Sequence, residues 1–201
     1  MDQWEIRRAR FLERIKRDLE TGYFDVDILD LVKKINEYQD MYTTSSCSGR
    51  IILIRSSQPW KKDESSILGK WHNGVEIREL LELLKRYGKS SNIWLILQSP
   101  IVHVVCRNVE LAVRLIRLAR SCGFRYSSII SHSSYGYVAE IMSSERLDIP
   151  VVLNGSRIIN DEKLEEVVNY LNERLRNSKK RIERLRSTLD SLGRSKLSQK
   201  P

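Results

Sequence analysis

The sequence predicts an α+β fold around one mixed β-sheet, and three observations lead to it. Apolar residues recur at helical spacing in five separate stretches. Short β-branched runs lie between those stretches, and two neighbouring pairs of them read as hairpins. The nine glycines never come closer than five residues, at Gly69 and Gly74. A G-x-G-x-x-G turn and a Walker-type loop are therefore both absent, which disfavours a Rossmann-type nucleotide domain.

Each element follows from local pattern. Residues 3 to 20 form an amphipathic helix whose apolar members are Trp4, Ile6, Phe11, Ile15 and Leu19, and Gly22 stops it. Asp25 or Asp27 caps a second helix that carries Ile28, Leu31, Val32 and Ile35 and runs through Tyr38. Capping is the favoured role for Asp27, while Asp25 remains open to a site role. A strand is expected from Arg50 to about Ser56. Residues 57 to 74 are polar, hold Pro59, Gly69 and Gly74, and read as a loop. Trp60, Trp71 and His72 lie in that loop, and aromatics in a polar loop hint at a binding surface. A third helix spans Glu76 to Tyr87, before Gly88. Ile93–Leu97 and Ile101–Cys106 read as strands joined by a tight turn at Ser99-Pro100. Asn108 caps a fourth helix to Cys122, and strands follow near residues 125–131, 135–142 and 149–153.

The last element is the most regular. Leu164, Val168, Leu171, Leu175, Ser178, Ile182, Leu185, Leu189 and Leu192 alternate spacings of four and three. That heptad stripe predicts a helix over 161–192, roughly 48 Å long at 1.5 Å per residue. Residues 1–192 are expected to form one domain including that helix, and 193–201 a flexible basic tail.

Composition is that of a globular chain, with 41% apolar and 30% charged residues. No apolar run is long enough to cross a membrane, and the N-terminus is charged from Asp2 onward, so a cytoplasmic location is expected. Three cysteines without C-x-x-C spacing argue against a disulfide framework or a zinc site. Of the net charge of +9, residues 171–201 supply +7, with ten Lys/Arg against three Asp/Glu. A polyanion such as RNA or DNA is the natural partner for a basic segment, although a solvated helix face gives the same composition.

The stretch Thr43-Thr44-Ser45-Ser46-Cys47-Ser48-Gly49-Arg50 concentrates hydroxyls, a thiol, a glycine and a cation before the apolar run 51–54. Gly49 permits close backbone approach, and Arg50 can fork onto a carboxylate or phosphate. A serine-rich turn is the plain alternative. His103 sits in Ile101-Val102-His103-Val104-Val105, where alternation groups Ile101, His103 and Val105 on one face. A histidine there needs a partner, and a core role and a site role are about equally supported. No evident base stands near the serines or Cys47 in the sequence, and H-E-x-x-H, G-x-S-x-G and zinc-deaminase patterns are absent.

In motif order the chain resembles the tRNA wybutosine-synthesizing protein 3 family over about residues 18–185. The resemblance is carried by Gly22 with Asp25, by Ile35-Asn36, and above all by Thr43 to Ile51. Gly69-Lys70-Trp71-His72, Pro100 to Cys106, Gly123-Phe124-Arg125 and Ile149-Pro150-Val151 extend it. The chain is one residue shorter than the family pattern between Pro100 and His103, and it lacks a family-like serine/lysine stretch at 18–21.

The resemblance implies a curved mixed sheet and an S-adenosylmethionine-dependent transfer of methyl to ring nitrogen N4 of a 4-demethylwyosine-type base. That base stands at position 37 of tRNA(Phe), so the anticodon stem-loop is the implied partner. Carried over residue by residue, Ser45, Ser46, Ser48, Gly49, Arg50 and His103 are expected at the cofactor. Arg50, Trp71, His72 and Arg125 are expected at the substrate, and His103, Ser45 and Asp25 at the chemistry, with no metal. Methyl transfer from a sulfonium needs mainly in-line positioning, so His103 has either a proton-handling or an orienting role. The basic C-terminal helix would hold the tRNA backbone. A non-enzymatic RNA-binding module is the second reading, and pairing of the heptad helix with another chain the third. A monomer is favoured.

Overall fold

The computed structural model describes residues 2–88, 92–190 and 192. In chain order its elements are α1 (Gln3–Glu20), α2 (Leu29–Asn36), β1 (Met41–Cys47), β2 (Arg50–Arg55), β3 (Ser66–Trp71), α3 (Ile77–Tyr87), β4 (Ile93–Gln98), β5 (Ile101–Cys106), α4 (Val109–Ser121), β6 (Ser128–Ser133), β7 (Gly136–Met142), β8 (Leu147–Leu153), β9 (Ser156–Arg157) and α5 (Asp161–Thr188). The expected tail at 193–201 lies outside the described residues. The chain divides into two compact units, the first made of Met1–Ser48, Pro100–Ser144 and Lys179–Pro201, the second of Gly49–Ser99 and Glu145–Ser178.

The α+β class holds, and the strands form two antiparallel sheets where one mixed sheet was expected. The first unit has the order β1-β5-β7-β6 and the second β3-β2-β4-β8-β9. The order is not that of a doubly wound parallel sheet. The physical cause lies at two short connections, Ser48-Gly49 and Ser99-Pro100, where the chain passes from one unit to the other. Gly49 has φ +87°, a conformation that costs other residues about 1–2 kcal/mol. Pro100 brings no backbone donor. The strands on either side of Pro100 do not form the expected hairpin. β4 pairs with β2 and β8, while β5 pairs with β1 and β7. The other expected hairpin, β6–β7, is present.

Two further readings change. The serine-rich stretch is itself a strand, β1, and the polar segment 57–74 contains the strand β3. β3 reads as loop because it sits at the sheet edge with an exposed first half, so it lacks the alternation of a half-buried strand.

The first unit's core packs α2, α4 and the last turns of α5 on one face of its sheet, through Met41, Val102, Val104, Cys106, Ala139 and Ile141. Leu31, Ile35, Leu115 and Leu185 from the helices are fully buried there. The second unit's core joins Ile51, Leu53, Leu95, Leu97 and Val151 to Leu80 and Leu84 of α3 and to Leu164, Leu171 and Leu175 of α5. The heptad stripe is thus consumed inside the chain. Ser178, its polar break, is buried and donates its hydroxyl to the Leu175 carbonyl at 2.8 Å. It also falls where the two units divide.

The basic end of the chain is therefore structural as well as charged, since Ile182, Leu185, Leu189 and Leu192 are core residues. Leu185→Ala is expected to lower stability by about 2–5 kcal/mol, read as a reduced urea midpoint. An unchanged midpoint would show that these turns are not packed.

Burial also pushes the Cys106 thiol from 9.0 up to about 12. A raised acid pKa stabilises the fold below the unfolded value and loses that contribution as pH rises through the folded one. Stability is therefore expected to fall between pH 9 and 12, with Tyr38 and Tyr42, raised chiefly by burial, adding to the fall. Replacing Cys106 by Ala should flatten the pH slope of the melting temperature; an unaltered slope would exclude the thiol as its source.

Candidate active site

The first unit's sheet buries one face and leaves part of the other open. On the open side α1 covers one end, where Trp4 and Phe11 pack on Tyr42, with ring centroids at 5.0 and 5.4 Å, beside Val105 and Val138. Two residues further along β5 and β7, and three along β1, the face becomes polar. Ser45, His103 and Glu140 are direct cross-strand neighbours on β1, β5 and β7, and Ser128 on β6 extends the row opposite Glu140.

A bulge puts Ser45 in that row. Thr43 pairs with Val104 and Ser45 with His103, so Thr44 is an extra residue in β1. Without it, alternation would turn Ser45 toward the core. By the same register Ser46, opposite Val102, lies on the core side of the sheet, and Cys47, opposite Ile101, on the open side.

Two side chains fix this strand. Asn36, in the last turn of α2, clamps Thr43 twice: its Oδ1 accepts from the Thr43 N–H and its Nδ2 donates to Oγ1, both at 2.9 Å. Asp25 holds the other end. Its Oδ2 accepts from the backbone N–H of buried Ser48 at 2.6 Å, and its Oδ1 accepts from Asp27 N at 3.3 Å. Asp25 is thus the cap of the 3₁₀ turn Val26–Ile28 and a brace for the serine strand, while Asp27 pairs with Lys179.

The row is hydrogen-bonded throughout its central part. Ser45 Oγ lies 2.7 Å from His103 Nδ1, and His103 Nε2 lies 2.9 Å from Glu140 Oε2. An ionised carboxylate only accepts, so Nε2 carries a hydrogen. In the neutral ring Nδ1 is then the acceptor, and the Ser45 hydroxyl donates to it. Ser45 is exposed, whereas the side chains of His103 and Glu140 keep 27% and 21% of their surface. The hydroxyl is thus the most exposed member of the row, with the imidazole and then the carboxylate beside it on the same face. The base absent from the serines' sequence neighbourhood arrives from β5.

The second unit holds Gly49, Arg50, Trp71 and His72. Arg50 opens β2 opposite Gln98, and its Nε donates to Gln98 Oε1 at 2.7 Å. The fork is oriented through Nε, and its two terminal nitrogens bond no acceptor among the described residues. That is the donor set a carboxylate or phosphate takes up. Trp71 ends β3 with its indole over Gly69, where an added Cβ would lie 2.3 Å from the ring. The ring packs on the core around α3, so one face is spent on packing. His72 is half-buried beside it, and Arg125, in the first unit, is exposed in the turn before β6. The structure thus brings Ser45, His103 and, through Ser48, Asp25 to one strand system; Arg125 has no described bond to it.

Glu140, Asn36 and Gln98 were not singled out as site residues from the sequence. Glu140 had a signal, as the lone charge in the run Gly136 to Met142. Its pairing with a histidine 37 residues away had none.

These features define an enzyme-like α+β chain outside the Rossmann class, with a serine–histidine–glutamate row on an open sheet face. A family model described as Methyltransferase TYW3 matches residues 6–191. The chain belongs to that family and is a methyltransferase. It is 38% identical over 193 residues to a Pyrococcus horikoshii protein, covering 96% of this chain and 98% of that one. It is 41% identical over 190 residues to an Archaeoglobus fulgidus protein, covering 90% and 95%. Both relatives carry the name tRNA(Phe) 7-((3-amino-3-carboxypropyl)-4-demethylwyosine(37)-N(4))-methyltransferase. A solved Pyrococcus horikoshii structure superposes with a TM-score of 0.87 at 38% identity, over 92% of this chain and 95% of that one. A hypothetical protein from Aeropyrum pernix gives 0.76 at 30% identity, over 84% and 98%. Among the described residues no helix is long and apolar enough to cross a membrane.

The histidine tautomer is measurable. Long-range nitrogen–proton NMR spectra of the neutral protein are expected to show hydrogen on Nε2 of His103, and Glu140→Gln should remove that preference. Hydrogen on Nδ1 in the wild type would break the assigned Ser45–His103–Glu140 polarity.

Proposed function

We propose that the protein methylates ring nitrogen N4 of a 4-demethylwyosine-type tricyclic base at position 37 of tRNA(Phe), in wybutosine or wyosine-derivative biosynthesis. S-adenosylmethionine is the proposed donor, the cytoplasm the proposed location, and residues 1–192 the proposed extent of the catalytic domain. The relatives' names supply the substrate. The observation that carries the reading is the Ser45–His103–Glu140 row on the open sheet face.

Each unit offers groups that such a cofactor uses. Arg50 offers an oriented guanidinium for a carboxylate, either the methionyl one or that of the aminocarboxypropyl arm. The Ser45 hydroxyl stands on the open face for polar contacts. When bound, S-adenosylmethionine supplies an electrophilic methyl on a sulfonium that departs as a neutral thioether. As the N–C bond forms, the ring N–H must give up its proton. Ser45 Oγ receives a proton from the ring nitrogen's side and releases its own to His103 Nδ1. Glu140 holds the opposite ring nitrogen, so the imidazolium is charge-paired. Asp25 and Asn36 act at one remove, by keeping β1 in the register that places Ser45. Trp71 is proposed as a wall for the base and His72 and Arg125 as further substrate contacts.

The test is a nucleoside mass-spectrometric assay with purified protein, S-adenosylmethionine and precursor tRNA(Phe). The expected product is the position-37 nucleoside heavier by one methyl group. His103→Ala should lower kcat by about 10²–10⁴-fold. Arg50→Ala should weaken donor or substrate binding by about 1.5–3 kcal/mol. A protein that binds tRNA but shows neither methylation nor calorimetric binding of S-adenosylmethionine would instead be a non-enzymatic RNA-binding module.

A further inference from the structure

We propose that the arginine-bearing flank of α1 is the docking surface for the phosphate backbone of the RNA substrate. The proposal rests on the reading that this substrate is a tRNA, and it moves the RNA contact away from the basic C-terminal helix.

The C-terminal segment is poorly placed for that work. Its described turns, 179–188 of α5, pack with α2 and α4 on the core face of the first unit's sheet. Ser45, His103 and Glu140 stand on the other face. Part of its charge is already paired: Lys179 with Asp27 and Arg186 with Glu183.

Helix α1 is placed differently. It begins over Tyr42, near one end of β1, and the chain reaches Ser48, just past the other end, through Asp25. Trp4 and Phe11 both pack on Tyr42, and Ile15 packs on the core cluster, so the first half of the helix lies over the Tyr42 end of β1. Arg8 faces the α2 side, donating to the carbonyls of Asn36 at 2.6 Å and Met41 at 3.4 Å. Arg7, Arg10, Arg14 and Arg17 recur at spacings of three and four, so they share one flank. At about 100° per residue, that flank lies roughly 140° around the helix from Arg8. Arg7 shows where it points, since its guanidinium stands 4.4 Å from the ring centroid of Tyr135, in the β6–β7 turn. The stripe is therefore turned across the sheet toward the strands that carry Glu140 and Ser128.

The stripe is also available. All four arginines are exposed. Among the described residues Arg10 and Arg17 have no ion-pair partner. Arg14 meets Asp18 at 3.4 Å in an exposed pair, a contact worth little in water. The nearest acid on the outer side, Glu13, is paired with Lys16. Half-exposed Tyr135 adds an aromatic face beside Arg7 at one end. A row of guanidiniums about 15 Å long, beginning beside an aromatic ring at the open face, matches an RNA backbone whose base reaches that face. A protein partner would be expected to bury apolar anchors, and this flank offers none between Arg10 and Arg17.

The experiment measures binding of an unmodified tRNA(Phe) transcript to the full chain across a salt series, with methylation of precursor tRNA measured in parallel. The triple variant Arg10→Ala, Arg14→Ala, Arg17→Ala should keep the wild-type melting temperature and lose at least about tenfold in affinity at about 0.1 M salt. Its salt slope should fall by about 2–3, at 0.7–0.9 per phosphate contact. The control Arg117→Ala, Arg184→Ala, on the core-side helices, should match wild type. An unchanged slope in the triple variant, or an equal loss in the control, overturns the docking surface. Absence of methylation by the wild type would sink the enzymatic reading alone, and the binding slopes would still decide the docking surface.

Discussion

One extra residue in β1, Thr44, decides which face of the first sheet carries the serine hydroxyl. Strand geometry allows a side chain only two directions, so a single inserted residue reverses everything downstream of it. Here the reversal brings Ser45 out of the core and onto His103. A bulge survives only if the strand cannot slip to regain regular pairing. Asn36 prevents slippage at Thr43 through two hydrogen bonds, and Asp25 prevents it at Ser48 through one. Both clamping side chains precede β1, Asp25 holding Ser48 from 23 residues upstream and Asn36 holding Thr43 from seven, which explains why the blocks Gly22 to Asp25 and Ile35-Asn36 accompany the serine stretch.

The histidine depends on that register in turn. His103 has β-branched and aliphatic neighbours on its strand and can satisfy both ring nitrogens only across the sheet. Ser45 and Glu140 satisfy them from opposite sides. Neither partner alone would fix the ring: without the carboxylate the tautomer is undetermined, and without the bulge the hydroxyl faces away.

The class of fold was legible in the sequence because amphipathic helices declare themselves locally. Each α1–α5 pattern was recoverable, and so was the alternation around His103. The division into two sheets was not legible, because β4 and β5 are apolar runs separated by two residues. Pairing with each other looked cheapest, and only non-local partners, β2 with β4 and β1 with β5, show otherwise. β3 was lost for a related reason, as an edge strand needs no regular alternation. The site was half legible. Residue order pointed to Ser45, Arg50 and His103, yet the sequence assigned them no mutual geometry. Glu140 was invisible as a partner since a strand register, rather than a motif, makes it one. Charge described only one side of the C-terminal helix. Its cations share turns with Ile182, Leu185 and Leu189, so composition described a surface whose other side is core.

The polarity of the row has an electrostatic consequence for methyl transfer. On the proposed reaction path, positive charge leaves a sulfonium and is carried away as a proton from the ring nitrogen. Glu140 Oε2 lies 2.9 Å from Nε2, so on that path the proton arrives on a ring already hydrogen-bonded to a carboxylate. The same carboxylate favours a cation at the open face before reaction. One fixed negative charge thus serves both ends of the step, and the hydroxyl between substrate and imidazole moves the proton without becoming charged itself. On this proposed path the site needs no nucleophile, even though its three side chains would suit one in another setting. The attacking atom there belongs to the base, and the protein's proposed part is to receive a proton along a row whose direction the tautomer of His103 sets.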